Sequence, residues 1–111
     1  MYNWSLGTYR LLVNDGVAAS WKLYQLPHCC AIAVSCESLV NSNYRGKRLG
    51  TTLNSLRQDI ARVMGYSLLL CTDITTNTHQ RQLLATQGWK DIYQVHNKRT
   101  KNDVIISVIN I

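Results

Sequence analysis

The stretch Arg45-Gly46-Lys47-Arg48-Leu49-Gly50-Thr51 joins a polar loop to the start of an amphipathic run. From Leu49 onward, Leu53, Leu56, Ile60 and Val63 or Met64 recur at spacings of four, three, four and three or four, which is one face of a helix. On that reading Asn54, Arg57, Gln58, Asp59 and Arg62 form the wet face, and Gly65 falls where a C-terminal cap glycine belongs. A helix that begins here turns several unpaired N–H groups, and the positive end of its dipole, toward the loop. The glycines let a ligand approach the backbone, and Arg45, Lys47 and Arg48 add formal positive charge. Together these features predict a phosphate or pyrophosphate site over 45–51. A glycine turn carrying three solvated basic residues is the plainer alternative. The stretch contains neither G-x-x-x-x-G-K-[ST] nor G-x-G-x-x-G, so it is neither a nucleoside-triphosphate P-loop nor a dinucleotide fingerprint.

On the N-terminal side, 9–13 and 17–24 read as strands joined by the tight turn Asn14-Asp15-Gly16. Pro27 breaks the second strand, and 29–40 is the next extended run, half-buried or fully buried. On the C-terminal side, 66–71 is a short, nearly all-apolar strand of the kind buried on both faces. Strand, helix and strand make a βαβ crossover, so 29–40 and 66–71 are expected to run parallel. Thr75-Thr76-Asn77-Thr78 offers caps for a second helix, anchored by Leu83 and Leu84 and ended by Gly88. The runs 89–96 and 104–109 alternate as strands around a turn at 97–103. The expected fold class is α/β (α+β), a mixed sheet with two main helices.

The 111 residues fit one domain, 1–111, and 46% hydrophobic against 16% charged residues excludes disorder. Net charge +6 favours an anionic partner: a phosphate cofactor, nucleic acid, a membrane surface or an acidic protein. No apolar run approaches the ~20 residues that cross a bilayer, and no basic-then-apolar leader opens the chain, so a cytoplasmic protein without a membrane partner is expected. Cys29, Cys30, Cys36 and Cys71 read as reduced, buried thiols. They lack paired Cys-x-x-Cys spacing, and no metal site is expected.

The run from Val40 through Asn41, Tyr44 and Arg45 to Gly50 resembles the coenzyme A signature of the GNAT superfamily of acyl-CoA N-acyltransferases. That signature is a strand valine, a short turn, then [QR]-x-x-G-x-[GA] opening a helix. Arg45 takes the first place and Gly50 the last, while Arg48 stands where the pattern has its middle glycine. A second landmark, an asparagine followed by a helix and a glycine–aromatic pair, matches Asn77 and Gly88-Trp89. The order of elements agrees from about residue 8 to residue 109.

The resemblance implies a mostly antiparallel sheet whose central parallel pair splays at the site of acetyl-CoA, the cosubstrate of an N-acetyltransferase that uses no metal. Arg45, Gly46, Lys47, Arg48, Leu49, Gly50 and Thr51 would hold the pyrophosphate. Leu39 and Val40 would pair with the pantetheine arm, and Asn77 would touch it from the other side. The amine needs a base, for which Glu37 and Asp73 are the candidates. Leu84 stands where many relatives have an acidic tyrosine, which leaves Tyr93, a water or no acid at all. Relatives usually begin with a strand and one or two helices that cover the substrate; here the first hairpin starts near residue 8. An open acceptor side suits an amine on a protein or other macromolecule, and leaves sheet surface for a second copy in a homodimer. Two other functions fit the residues: a CoA-fold module without catalysis, and a nucleic-acid binder using Lys98, Arg99, Lys101 and the basic residues of 45–48. Trp4, Trp21 and Trp89 are not interleaved with those charges, so no stacking platform is indicated.

Overall fold

The computed structural model describes residues 7–13, 16–41, 43 and 49–111. The elements are β1 (Gly7–Val13), β2 (Gly16–Gln25), β3 (Ile32–Val40), α1 (Leu49–Val63), β4 (Leu68–Ile74), α2 (Thr78–Thr86), β5 (Lys90–His96) and β6 (Asp103–Asn110). They form a six-stranded sheet in the order β1-β2-β3-β4-β6-β5. Every neighbouring pair is antiparallel except β3 and β4, which run parallel across the α1 crossover as expected. Asn14 and Asp15, the predicted turn, lie outside the described residues; β1 and β2 pair as far as Val13 and Gly16.

Local chemistry sets most boundaries. Gly65 (φ +91°) and Gly88 (φ +89°) take the left-handed conformation that ends a helix. Asn77 caps α2, its side-chain oxygen accepting from the Gln80 N–H at 3.4 Å. Two strands begin later than their composition suggests. A turn closed by Leu26 N–H to Ile32 C=O (2.9 Å), with His28 at φ 58°, occupies Cys29 and Cys30, so β3 starts at Ile32. The Tyr66 N–H bonds back to the Ala61 carbonyl at 3.0 Å, so Tyr66 packs beneath the end of α1 and β4 starts at Leu68.

Both helices lie on one face of the sheet. Leu53 and Ala61 of α1 and Leu84 of α2 meet Ala19, Trp21 and Leu23 of β2, Ala33 of β3 and Leu69 and Cys71 of β4. The rotation of α1 differs from the leucine periodicity. Asn54 and Arg57 are 2% and 1% exposed, while Val63 is 88% exposed. The buried stripe is Leu53, Asn54, Arg57 and Ala61, because the small Ala61 lets the axis approach the sheet while Val63 falls beyond the sheet-facing side. Strand β4 is covered on one face only: Leu69 and Cys71 are buried, Leu68 and Leu70 half-buried. The expectation of a strand buried on both faces is corrected, since no described element packs on the second face. All four cysteines are free thiols; only Cys71 is buried and Cys30 is exposed, which corrects the expectation of buried thiols.

Candidate active site

Strands β3 and β4 pair at Ile32 with Leu68, Ala33 with Leu69 and Val34 with Leu70, and then part. Beyond that point β3 stays with β2 and β4 stays with β6. A bulge helps to drive them apart. Lys22 pairs with Cys36 and Ser20 with Leu39, so β3 spends two residues where β2 spends one. The extra residue bends β3 just past its last contact with β4. The resulting cleft, of about 270 Å³, is lined by Ser35 and Cys36 of β3, Cys71, Thr72 and Asp73 of β4, Arg57 of α1, and Asn77 and Gln80 at the start of α2.

Arg57 forms one wall. Its Nη1 donates to the Ser35 Oγ at 3.1 Å, and its guanidinium lies 4.7 Å from the centre of the Trp89 ring. Burial lowers its pKa from the ordinary arginine value, and the neighbouring Cys71 opposes that shift. The Cys71 thiol is pushed up to about 11, chiefly by burial, with Arg57 opposing and Asp73 and Asp91 adding to it. At neutral pH it is therefore a neutral thiol, poorly suited to forming a covalent acyl-enzyme. Brief alkylation at pH 7.5 should modify Cys30 well before Cys71 in peptide maps; equal rates at the two sites would contradict the burial of Cys71.

Asp73 is the reactive-looking group. Both of its carboxylate oxygens are shielded from solvent and have no hydrogen-bond partner among the described residues. Burial raises its pKa above the ordinary carboxylate value; Arg81 opposes the shift and Asp91 reinforces it. Arg81, the nearby cation, donates from Nη2 to Asp91 Oδ2 at 2.7 Å, while its buried Nη1 has no hydrogen-bond partner among the described residues. Asp91 also accepts from the Ser107 hydroxyl at 2.8 Å. The surrounding bonds thus satisfy Asp91 and leave Asp73 without a direct partner, an environment suited to a proton acceptor.

The other predicted residues are distributed around this cleft. Arg45, Gly46, Lys47 and Arg48 lie outside the described residues. Leu49, Gly50 and Thr51 form the first turn of α1, and the Thr51 carbonyl accepts from Gln87 Nε2 at 3.2 Å, tying the end of α2 to that turn. Val40 pairs with Ala19 as backbone, and Leu39 is an exposed residue of β3. Glu37 lies on β3, but its side chain is outside the described set. Asn77 lines the cleft beside Asp73.

Tyr93 is not brought to the cleft. Asp91 pairs with Ser107 and Tyr93 with Ile106, so a bulge at Ile92 reverses the alternation and turns Tyr93 to the opposite face from Asp73. It stands on the outer strand β5 at 66% exposure. Leu84, at the family's tyrosine place, is 3% exposed in the core. Sequence reading missed Arg57, Ser35, Cys71 and Gln80 as wall residues. The available signal for Arg57 was its place four residues after Leu53 and four before Ala61, on one stripe of the helix.

Solved acetyltransferases share this architecture. The IAA acetyltransferase from Bacillus cereus matches 94% of this chain and 77% of its own at TM-score 0.84 and 15% identity. The ribosomal-protein-S18-alanine N-acetyltransferase from Escherichia coli matches 96% and 69% at TM-score 0.83 and 18% identity. A GNAT family acetyltransferase from Elizabethkingia anophelis, with acetyl-CoA bound, matches 96% and 77% at TM-score 0.87 and 16% identity. The chain has the GNAT fold. At these identities the likeness is one of fold, and the sequence matches no protein-family model and no curated protein. The single parallel pair and the two helices of this GNAT fold agree with the architecture expected from the 40–50 stretch. Among the described residues there is no cluster of metal-ligating side chains, and no helix is long and apolar enough to cross a membrane.

Proposed function

We propose that this chain is an acetyl-CoA-dependent N-acetyltransferase acting on an amine of a protein or other macromolecule. The observation that carries the proposal is the parting of β3 from β4 beside an unpartnered, partly buried Asp73. Acetyl-CoA supplies a thioester whose acetyl group an amine takes up with loss of the CoA thiol. Asp73 accepts the proton of the attacking amine, directly or through one water. Glu37 is the alternative base. Past Val34 and Leu70 the facing edges of β3 and β4 have no ladder partner in each other, so their backbone groups, around Leu39 and Val40, can bond the amide-bearing arm of the cosubstrate. The first turn of α1, with the basic residues of 45–48 preceding it in sequence, suits the pyrophosphate. Asn77 and Gln80 form the opposite wall. With Tyr93 on the far face, water is the proton donor for the departing thiolate. A small cleft of about 270 Å³ suits the extended end of a lysine side chain or a chain N-terminus better than a large enclosed ligand.

A module that binds CoA without catalysis is the second reading, favoured by the buried Leu84 in place of the family's tyrosine. The nucleic-acid reading loses ground because Trp21 and Trp89 are core residues that cannot stack on bases. Titration calorimetry with acetyl-CoA should give saturable binding at micromolar to millimolar ligand, and its absence would overturn both CoA readings. Mass spectrometry of peptides bearing lysines and free N-termini, incubated with acetyl-CoA, should then show a gain of one acetyl group. Binding without any such gain supports the non-catalytic module.

A further inference from the structure

The turn between β5 and β6 carries the cations Lys98, Arg99 and Lys101, all exposed. Its own bonds fix its shape. The Asn97 N–H bonds to the Asn102 carbonyl and the Lys101 N–H to the Asn97 carbonyl, each at 2.8 Å. The Asn97 side-chain oxygen accepts from the N–H groups of Arg99 at 3.0 Å and Thr100 at 3.3 Å. The Thr100 hydroxyl accepts from the Asn102 N–H at 3.4 Å. The backbone under the cations is thus held in one arrangement before a partner arrives, which lowers the ordering cost of binding. Asp103, the acidic residue at the base of the turn, has a partner of its own, with its Oδ1 2.8 Å from His96 Nδ1.

Topology brings this turn to the end of the sheet where the cleft opens. Strand β6 runs antiparallel to β4, with Ile105 beside Asp73 and Val104 beside Ile74. The Thr75 N–H bonds to the Asp103 carbonyl at 3.0 Å. Strand residues advance about 3.4 Å each, so Asp103 stands about 7 Å beyond Asp73 and the cations roughly 10–14 Å beyond it. The first turn of α1, suited to the pyrophosphate, is tied through the Thr51 carbonyl to Gln87, which precedes β5, whereas the basic turn follows β5. The two sets of anion-binding groups therefore lie toward opposite ends of that strand.

We infer that the basic turn receives acidic residues of the acceptor, in the segment next to its amine; this rests on the acetyl-transfer reading for the place of the amine beside Asp73. The register follows from the spacing. An extended peptide advances about 3.3 Å per residue, so carboxylates about three to five residues from the amine reach the turn. At the foot of the turn Tyr93 and Val95 of β5 are exposed, paired with the half-buried Ile106 and Val104 of β6. Cations above an apolar foot match a peptide, which offers carboxylates and apolar side chains together. A nucleic-acid strand runs its phosphates along a longer track of cations, and this cluster is confined to one turn. Exposed ion pairs are individually weak, so the turn selects among acceptors and steers them more than it anchors them.

The test uses peptides with a free N-terminus and a single lysine, carrying either Glu or Gln about three to five residues from each amine. Binding is read by fluorescence anisotropy, and acetyl transfer by mass spectrometry after incubation with acetyl-CoA. The Glu peptide is expected to bind about tenfold more tightly than the Gln peptide at about 0.05 M NaCl, with the preference shrinking at about 0.5 M. The variant Lys98→Gln, Arg99→Gln, Lys101→Asn should lose the preference and bind acetyl-CoA as the parent does; Asn is used at 101 because it tolerates the φ of 65° there. Equal binding of the two peptides, or a preference that survives in the variant, overturns the inference. Weaker acetyl-CoA binding by the variant overturns it too, by giving the turn to the cosubstrate's phosphates. So does a single-stranded oligonucleotide that binds more tightly than the Glu peptide at about 0.15 M NaCl. A Glu preference that the variant loses, with no acetyl gained by either peptide, upholds the acidic docking site and overturns acetyl transfer.

Discussion

Replacing Asp73 with Asn should lower acetyl transfer about 10²–10⁴-fold while making the protein more heat-resistant at neutral pH. Both effects have one cause. The Asp73 carboxyl is shielded and has no hydrogen-bond partner among the described residues, so its charged form is disfavoured in the fold and its pKa lies above the ordinary 3.8. Between 3.8 and that raised value the folded state holds a proton that the unfolded chain has released. The stabilising contribution of the protonated group is complete below 3.8 and is lost as pH rises through the raised value. At neutral pH the carboxylate therefore opposes folding, and Asn removes the charge while keeping the shape. The difference in Tm between variant and parent should close as pH approaches 3.8. Activity should mirror this titration, with kcat/KM of the parent falling on the acid side as Asp73 takes up its proton. A Glu37→Gln variant separates the two base candidates. If Asp73→Asn retains full transfer and Glu37→Gln loses it, Asp73 is not the base.

Asp73 was legible as a residue at the end of a strand, whereas its missing partner depends on how Arg81, Asp91 and Ser107 pair around it. The start of α1 at Leu49 was legible because the change to a helical spacing of leucines is a local property, visible in a few residues. Gly65 and Gly88 were legible for the same reason: a left-handed cap demands a residue without a side chain. Arg57 was assigned to water because leucines dominate the helical periodicity, yet the rotation of α1 depends on how closely Ala61 can approach a sheet built from distant residues. Tyr93 followed simple alternation with Trp89 and Asp91 until the bulge at Ile92 reversed it, and that bulge is a property of the β5–β6 pairing. The split of β3 from β4 likewise depends on which neighbour each strand keeps, which no single segment encodes.

Arg57 yields the second large effect, and two substitutions divide its causes. Arg57→Ala removes a wholly buried side chain that spans from Ser35 to the Trp89 ring, leaving a cavity at the junction of α1 with the sheet. A loss of about 2–5 kcal/mol is expected, comparable with truncating a large core side chain, and should appear as a Tm lowered by about 10 °C or more. Arg57→Met fills much of the same volume without a charge. Exchanging buried ionic groups for apolar ones of similar size is often neutral or stabilising, so this variant should melt near the parent. Its activity is then the informative reading. The guanidinium lines the cleft and donates to Ser35 on the β3 wall, so it is placed to hold ligand or to shape that wall. A stable Arg57→Met protein is expected to lose at least about tenfold in kcat/KM, whereas Arg57→Lys, which keeps a charge able to reach the Ser35 hydroxyl, should recover part of that loss. Full activity in Arg57→Met would reduce Arg57 to packing. Unfolding of Arg57→Met to the same degree as Arg57→Ala would instead mean that the Arg57 bonds to its neighbours, and not its bulk, hold α1 against the sheet.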